Sequence, residues 1–220
     1  MAVLTVPAAL MAGCGGPLST LDPAGPSAGA IGGLWWAMLA GAGLITLMVL
    51  GMLAIGFGRP RAVVERRWTV TLGLGFSLTV LTALLAAAVW VGERQLARED
   101  GFVTVRAHAY QWGWRFGHPD GAGGEIEVEG ALHIPAGRPV DVVVTSADVI
   151  HSFWVPRLVG KIDAVPGRAN RLRLEADAPG TYEGICAEFC GLGHAGMRFE
   201  VVAHPPEDWP AVLADQETGE

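Results

Sequence analysis

Two thiols, an imidazole and a thioether fall within the twelve residues that run from Cys186 to Met197, CAEFCGLGHAGM. Soft sulfur donors beside imidazole select copper over hard cations. Zinc draws on Cys, His and carboxylate, and zinc-binding patterns set their cysteines in matched pairs two to four residues apart. A loop that holds Met197 fits neither habit. A second imidazole, His151, stands in the run SADVIHSFWVP, where a strand can deliver it to the same point. Two Cys, two His and one Met make the ligand set of a copper site. Taken alone, Cys186 and Cys190 fit a disulfide in an oxidising compartment as well as a metal. His194 and Met197 in the same loop turn the reading to metal. His151 alone fits a packed core histidine, in keeping with Phe153 and Trp154 beside it. His108, His118, His133 and His204 read as ordinary surface or loop histidines.

The elements that position this loop divide into an apolar half and a strand-rich half. Of the 220 residues, 51% are hydrophobic and 17% charged, and the apolar share is concentrated near the N-terminus. No charge occurs between Asp22 and Arg59 or between Arg67 and Glu93. Each gap exceeds the roughly 20 apolar residues that span a bilayer. The pattern predicts transmembrane helices over residues 34–57 and 68–91, with Trp35, Trp36, Trp68 and Trp90 near their ends as an aromatic belt. The link between them carries Arg59, Arg61, Arg66 and Arg67. Basic links stay cytoplasmic, which puts both termini and everything after Gly101 on the periplasmic side. Residues 15–33 are rich in Gly, Pro and Ser and read as an extended linker. Cys14 ends the run LMAGC, which is similar to a bacterial lipoprotein signal and makes Cys14 a candidate for lipidation. Residues 1–13 lack the basic start of a signal peptide.

From about residue 101, short β-prone runs alternate with turn residues. Strands are expected over residues 102–116, 125–134, 139–146, 169–176, 180–185 and 198–203. Leu172 and Leu174 should point inward while Arg171, Arg173 and Glu175 point outward. About a hundred residues with six or more short strands predict an antiparallel sandwich. The domain boundaries expected are 1–33 for the signal-like segment and linker, 34–100 for the helical hairpin, 101–204 for the copper domain and 205–220 for an acidic tail.

The C-x-E-x-C-x-x-x-H-x-x-M run, SADVIHSFWVP with KIDAVPGR after it, and the aromatic segment AYQWGWRF together closely resemble subunit II of haem–copper cytochrome c oxidases. The resemblance extends over about residues 34–202. It implies two N-terminal transmembrane helices followed by an all-β, cupredoxin-like Greek-key barrel. It implies a binuclear centre of two copper ions bridged by Cys186 and Cys190, with His151 and His194 each capping one copper. Met197 is the weak ligand to one copper and the Glu188 carbonyl to the other. The Glu188 side chain is implied to bind magnesium at the contact with subunit I. Trp112 is implied as the tryptophan through which electrons enter from cytochrome c, with Trp114 as its packing neighbour. Glu65, in ERRW, resembles the acid at the entrance of a proton path into subunit I. The function implied is that of the electron-accepting subunit of a terminal oxidase. It takes electrons from cytochrome c and passes them to haem in subunit I, where oxygen is reduced to water with proton translocation. Partners implied are subunits I and III, cytochrome c and the bacterial inner membrane.

Other readings are weaker on the same residues. A thioredoxin-like copper chaperone also carries C-x-x-x-C and a distant His, but it needs a βαβ pattern. A quinol oxidase subunit lacks the copper ligands, and nitrous oxide reductases need a large further domain. No C-x-x-C-H haem-attachment motif occurs, so no haem is expected in this chain. No nucleophile or general-base constellation stands out. The net charge of −7 and the lack of basic clusters exclude a nucleic-acid partner. An acidic face would speed encounter with basic cytochromes c. Glu125, Glu127 and Glu129 alternate along one strand and are candidates for it.

Overall fold

A computed structural model describes residues 15–58, 64–96, 102–120, 124–209 and 212. Cys14, Arg59, Arg61 and most of the acidic tail lie outside the described residues. The chain divides into two compact units, Ile31–Arg94 and a unit made of Met1–Ala30 with Gln95–Glu220.

The first unit is helical. Helix α1 spans Pro26–Gly58 and α2 spans Arg67–Glu93, and both are long and apolar enough to cross a membrane. The start of α1 falls earlier than the expected residue 34. Pro26 is its first helical residue, where a missing N–H costs nothing and a fixed φ favours the turn. The first part of α2, Arg67–Phe76, winds in wide π-type turns before the α-helical Ser77–Glu93. Leu44, Leu47, Leu81 and Leu85 are all exposed. A continuous exposed surface of that kind calls for an apolar solvent. Thr46 and Thr79 each return their hydroxyl to the carbonyl four residues back, at 2.8 Å, so neither donor is left unsatisfied in an apolar setting. Trp35 and Trp36 pack edge to face at 4.6 Å, and the Arg94 guanidinium sits 3.6 Å over the Trp90 ring.

The second unit is a pair of five-stranded sheets. One has the order β3-β2-β1-β5-β8 and the other β4-β10-β9-β6-β7. The strands are β1 Thr104–Tyr110, β2 Gly113–Pro119, β3 Glu125–Glu129, β4 Ala131–Pro135, β5 Val140–Ser146, β6 His151–Trp154, β7 Ile162–Ala164, β8 Asn170–Leu174, β9 Gly180–Cys186 and β10 Arg198–His204. Two expected strands are each divided in two, the first as a β1–β2 hairpin and the second as β3 and β4 in different sheets. The run 102–116 turns at Gln111–Trp112, and the run 125–134 breaks at Gly130. β6 and β7 are additional. The sheets are not purely antiparallel, because β1 runs parallel to β5 and β4 parallel to β10. Each parallel pair joins strands far apart in sequence, which needs a long connection between them.

Alternation decides what is inside. Leu172 and Leu174 are buried while Arg171 is exposed, as the pattern predicts. Trp114, Phe116, Phe153 and Phe199 fill the space between the sheets, with ring centroids 4.7 to 6.4 Å apart. Each such side chain removed from water contributes roughly 1.5–3 kcal/mol. The segment before α1 is docked on this core. The Ala24 N–H donates to the Arg157 carbonyl at 2.7 Å, the Asp177 N–H to the Ala24 carbonyl at 2.9 Å, and Asp22 pairs with Arg157 at 2.9 Å.

Candidate metal centre

β9 ends at Cys186 and β10 begins at Arg198, and the two strands pair with Ile185 opposite Arg198. The Cys186 N–H donates to the Met197 carbonyl at 3.0 Å, which closes the neck of the loop between them. Inside the loop a 3₁₀ turn, His194–Gly196, is held by N–H donations from His194 to Gly191 and from Gly196 to Gly193. β6 lies on the other side of β9, with Phe153 opposite Cys186, so its first residue, His151, reaches the loop from a neighbouring strand.

The side chains meet in one place. Cys186 Sγ and Cys190 Sγ are 3.8 Å apart, far beyond a disulfide bond of about 2.05 Å. His151 Nδ1 is 3.8 Å from Cys186 Sγ, and the Glu188 carbonyl oxygen is 3.2 Å from the same sulfur. His194 Nδ1 is 3.6 Å from Cys190 Sγ, and Met197 Sδ is 3.7 Å from it. The donors therefore divide into two halves, each with one imidazole and one weak ligand, around a shared pair of sulfurs. Ligand atoms of His151, Cys186 and Cys190 all lie within 4.8 Å of one another. All three residues and Met197 are buried. Burial, and then the neighbouring Cys186, push the Cys190 thiol up to about 11. A metal that binds here must displace protons.

Around the ligands the structure adds residues that the sequence reading assigned no role. Asp148 Oδ1 lies 2.8 Å from His151 Nε2. The same carboxylate accepts the Val149 N–H at 2.6 Å and the Gln111 N–H at 2.8 Å. Burial pushes the Asp148 carboxyl up, but its bonds to His151, Val149 and Gln111 outweigh that and hold it below the usual range. A carboxylate behind a ligating imidazole fixes its tautomer and orientation. An acid three residues before a candidate ligand is the signal that marks it.

Trp112 lies on the loop itself. Its Nε1–H donates to the Cys190 carbonyl at 3.2 Å, and Gln111 Nε2 donates to the same oxygen at 2.8 Å. A Cβ placed on Gly193 would come within 2.5 Å of the indole, so only glycine lets the ring lie this close. Trp112 is 44% exposed, and Phe189 and Leu192 beside it on the loop are more exposed still. Trp114 is a core residue, 1% exposed, packed against Phe153 and Phe199.

The Glu188 carboxylate faces Lys161 at 3.9 Å, and Lys161 also pairs with Asp163 at 2.8 Å. Glu65 lies two residues before the π-wound start of α2, exposed, in the helical unit. Of the three candidate docking acids, Glu125 pairs with Arg106 at 3.1 Å and Glu129 accepts the Tyr110 hydroxyl.

Four histidines read as isolated are not so. His108 Nδ1 meets Thr145 Oγ1 at 2.9 Å. His118 is fully buried, and its Nε2 accepts the His133 N–H at 3.0 Å. His133 Nδ1 and His204 Nε2 are 2.8 Å apart. The packing of β2 across from β4 and the register of β4 on β10 make this cluster, and neither is visible in a single sequence.

Two facing sheets that carry a sulfur- and imidazole-lined loop at one end define a cupredoxin-like domain with a candidate metal site. Residues 119–204 match the family model for cytochrome c oxidase subunit II, periplasmic domain. Cytochrome c oxidase subunit 2 of Branchiostoma lanceolatum is 32% identical over 177 residues, which cover 71% of this chain and 72% of that one. The chain belongs to the cytochrome c oxidase subunit 2 family. The subunit 2 of Synechocystis sp. is 42% identical over 119 residues, 53% of this chain but only 35% of that protein's length. The crystal structure of the periplasmic domain of subunit II of the Bradyrhizobium japonicum cytochrome oxidase superposes with a TM-score of 0.52 at 28% identity. It matches 56% of this chain and 98% of that one.

Proposed function

We propose that this chain is the electron-accepting subunit of a terminal cytochrome c oxidase, in which a binuclear copper centre takes electrons from cytochrome c and delivers them to haem in subunit I. The observation that carries the reading is the two-fold division of donors about Cys186 and Cys190. When bound, the copper pair supplies one-electron redox chemistry with little change in bond lengths.

The chain's own residues do the rest. Cys186, Cys190, His151 and His194 would hold the two coppers, with Met197 and the Glu188 carbonyl as weaker donors. The loop neck between Cys186 and Met197 and the 3₁₀ turn at His194 hold these donors on rigid backbone. Phe153, Trp114 and Met197 exclude water from one side. Asp148 holds the His151 ring through Nε2. Trp112, exposed on one face and hydrogen-bonded to the Cys190 carbonyl on its edge, receives the electron. The Glu188 carboxylate would supply an oxygen ligand for magnesium at the contact with subunit I.

In this reading the chain lies in the bacterial inner membrane with subunits I and III. The helical hairpin crosses the membrane, residues 101–204 are the periplasmic copper domain and residues 205–220 the acidic tail. Glu65 lies on the cytoplasmic side at the entrance of a proton path, and Cys14 is the site of lipid attachment. Oxygen reduction and proton translocation belong to the assembled complex. No βαβ unit occurs among the described residues, which weighs against a thioredoxin-like chaperone.

The test is metal content followed by reduction. The full chain should retain two coppers after dialysis, and reduced cytochrome c should bleach its visible absorption. Replacement of Trp112 by alanine should leave the copper content intact and slow that bleaching. A single exchangeable copper, or bleaching at an unchanged rate in the Trp112 variant, contradicts the proposal.

A further inference from the structure

The His118–His133–His204 cluster plays no part in the copper loop. β10 begins beside Met197 and runs away from it, so His204, its last residue, stands roughly 20 Å along the strand from the loop. β4 is the edge strand of its sheet, parallel to β10, with Val202 opposite His133 and His204 opposite Pro135. Residues two apart on a strand share a face, so His133 and His204 lie diagonally on one face of neighbouring strands. Their rings stack at 5.1 Å with 21° between planes, and one nitrogen of each points at the other across 2.8 Å.

We propose that His133 and His204 form a second metal site on this domain, for a late first-row divalent cation such as Zn²⁺, which fastens the edge strand β4 to β10. Imidazole nitrogens are the donors such ions prefer. Two nitrogens on one tetrahedral zinc stand roughly 3.3 Å apart, so the pair needs to open by only about half an ångström. Both side chains are half-buried, which leaves solvent a way to the nitrogens and room for water to complete the shell.

The surroundings support the ligands. His118 is buried beneath His133 and accepts its backbone N–H, the donor that an edge strand turns away from its sheet. That bond fixes the strand position from which the His133 ring projects. Trp209 lies against the His204 ring at 6.3 Å, and Asp208 adds negative potential there. Burial holds His118 down at about 4 and lowers His133 and His204 as well, so the rings are neutral near pH 7 and offer lone pairs.

The test uses the copper-loaded full chain in detergent, dialysed against micromolar ZnCl₂ and assayed for bound zinc. The wild type should hold one equivalent more than a His133→Gln, His204→Gln double variant. Zinc should raise the melting temperature of the wild type and leave that of the double variant unmoved, because only the native state presents both nitrogens. Diethylpyrocarbonate footprinting of the wild type gives a second readout that needs no variant: zinc should protect His133 and His204 and leave His108 reactive. Equal zinc in a folded double variant overturns the proposal. If that variant does not fold, the footprint decides, and unprotected His133 and His204 overturn it.

Discussion

At the scale of single residues the proposed copper loop depends on groups outside its ligand set. Asp148 is the clearest of them, because it ties His151 to the Gln111 backbone and so joins the ligand to the turn that carries Trp112. Its replacement by alanine should lower metal affinity by about 10–100-fold, measured by competition with a copper chelator, with the fold unchanged by circular dichroism. Gly193 is the second case. A methyl group there occupies the place of the indole, so Gly193→Ala should displace Trp112 and slow reduction by cytochrome c while the chain keeps its copper. A Gly193→Ala variant that is reduced at the wild-type rate would show that close contact of the indole with the loop is not needed. The candidate ligands that meet in the fold are legible in the sequence because two Cys, a His and a Met in twelve residues leave few other readings. Gln111 and the histidine cluster are not, since each acts through a partner 15 to 79 residues away that only the fold brings near.

At the scale of elements, the strands hold the site and two contacts hold the strands. Arg173 on β8 forks onto Asp141 on β5, at 2.9 and 3.2 Å, and Asp141 is 5% exposed. Arg173→Met would leave that carboxylate buried without its cation and should cost about 3 kcal/mol, read as a shift in the chemical unfolding midpoint. The segment before α1 is the other contact. A Cβ on Gly25 would fall 2.3 Å from the Glu175 carbonyl, so Gly25→Ala should destabilise the domain by about 1–3 kcal/mol. Gly, Pro and Ser in this stretch point to a linker, because those residues usually mark one. Here the glycine permits close docking and Pro26 opens the helix. Alternation revealed β8, where apolar and charged residues take turns. The β1–β2 hairpin was missed because Gln111–Trp112 carries no turn-forming residue, and β7 because three residues are too few to show a period.

At the scale of the whole molecule, the chain combines two helices able to cross a membrane with a β domain of a periplasmic family. Its net charge is −7. Glu125 and Glu129 are engaged by Arg106 and Tyr110, so attraction for a basic donor rests on the charge of the molecule more than on that strand. Reduction by cytochrome c should slow as ionic strength rises above about 0.1 M, where screening acts within about 10 Å; a rate indifferent to salt would remove electrostatic steering.

The central claim is that one electron is shared by two coppers held between Cys186 and Cys190. Electron paramagnetic resonance of the copper-loaded, partly reduced full chain tests it most directly. A hyperfine pattern from a single electron spread equally over two copper nuclei is the result predicted, and it should collapse in Cys186→Ser. A pattern from one isolated copper nucleus in the wild type would contradict the account.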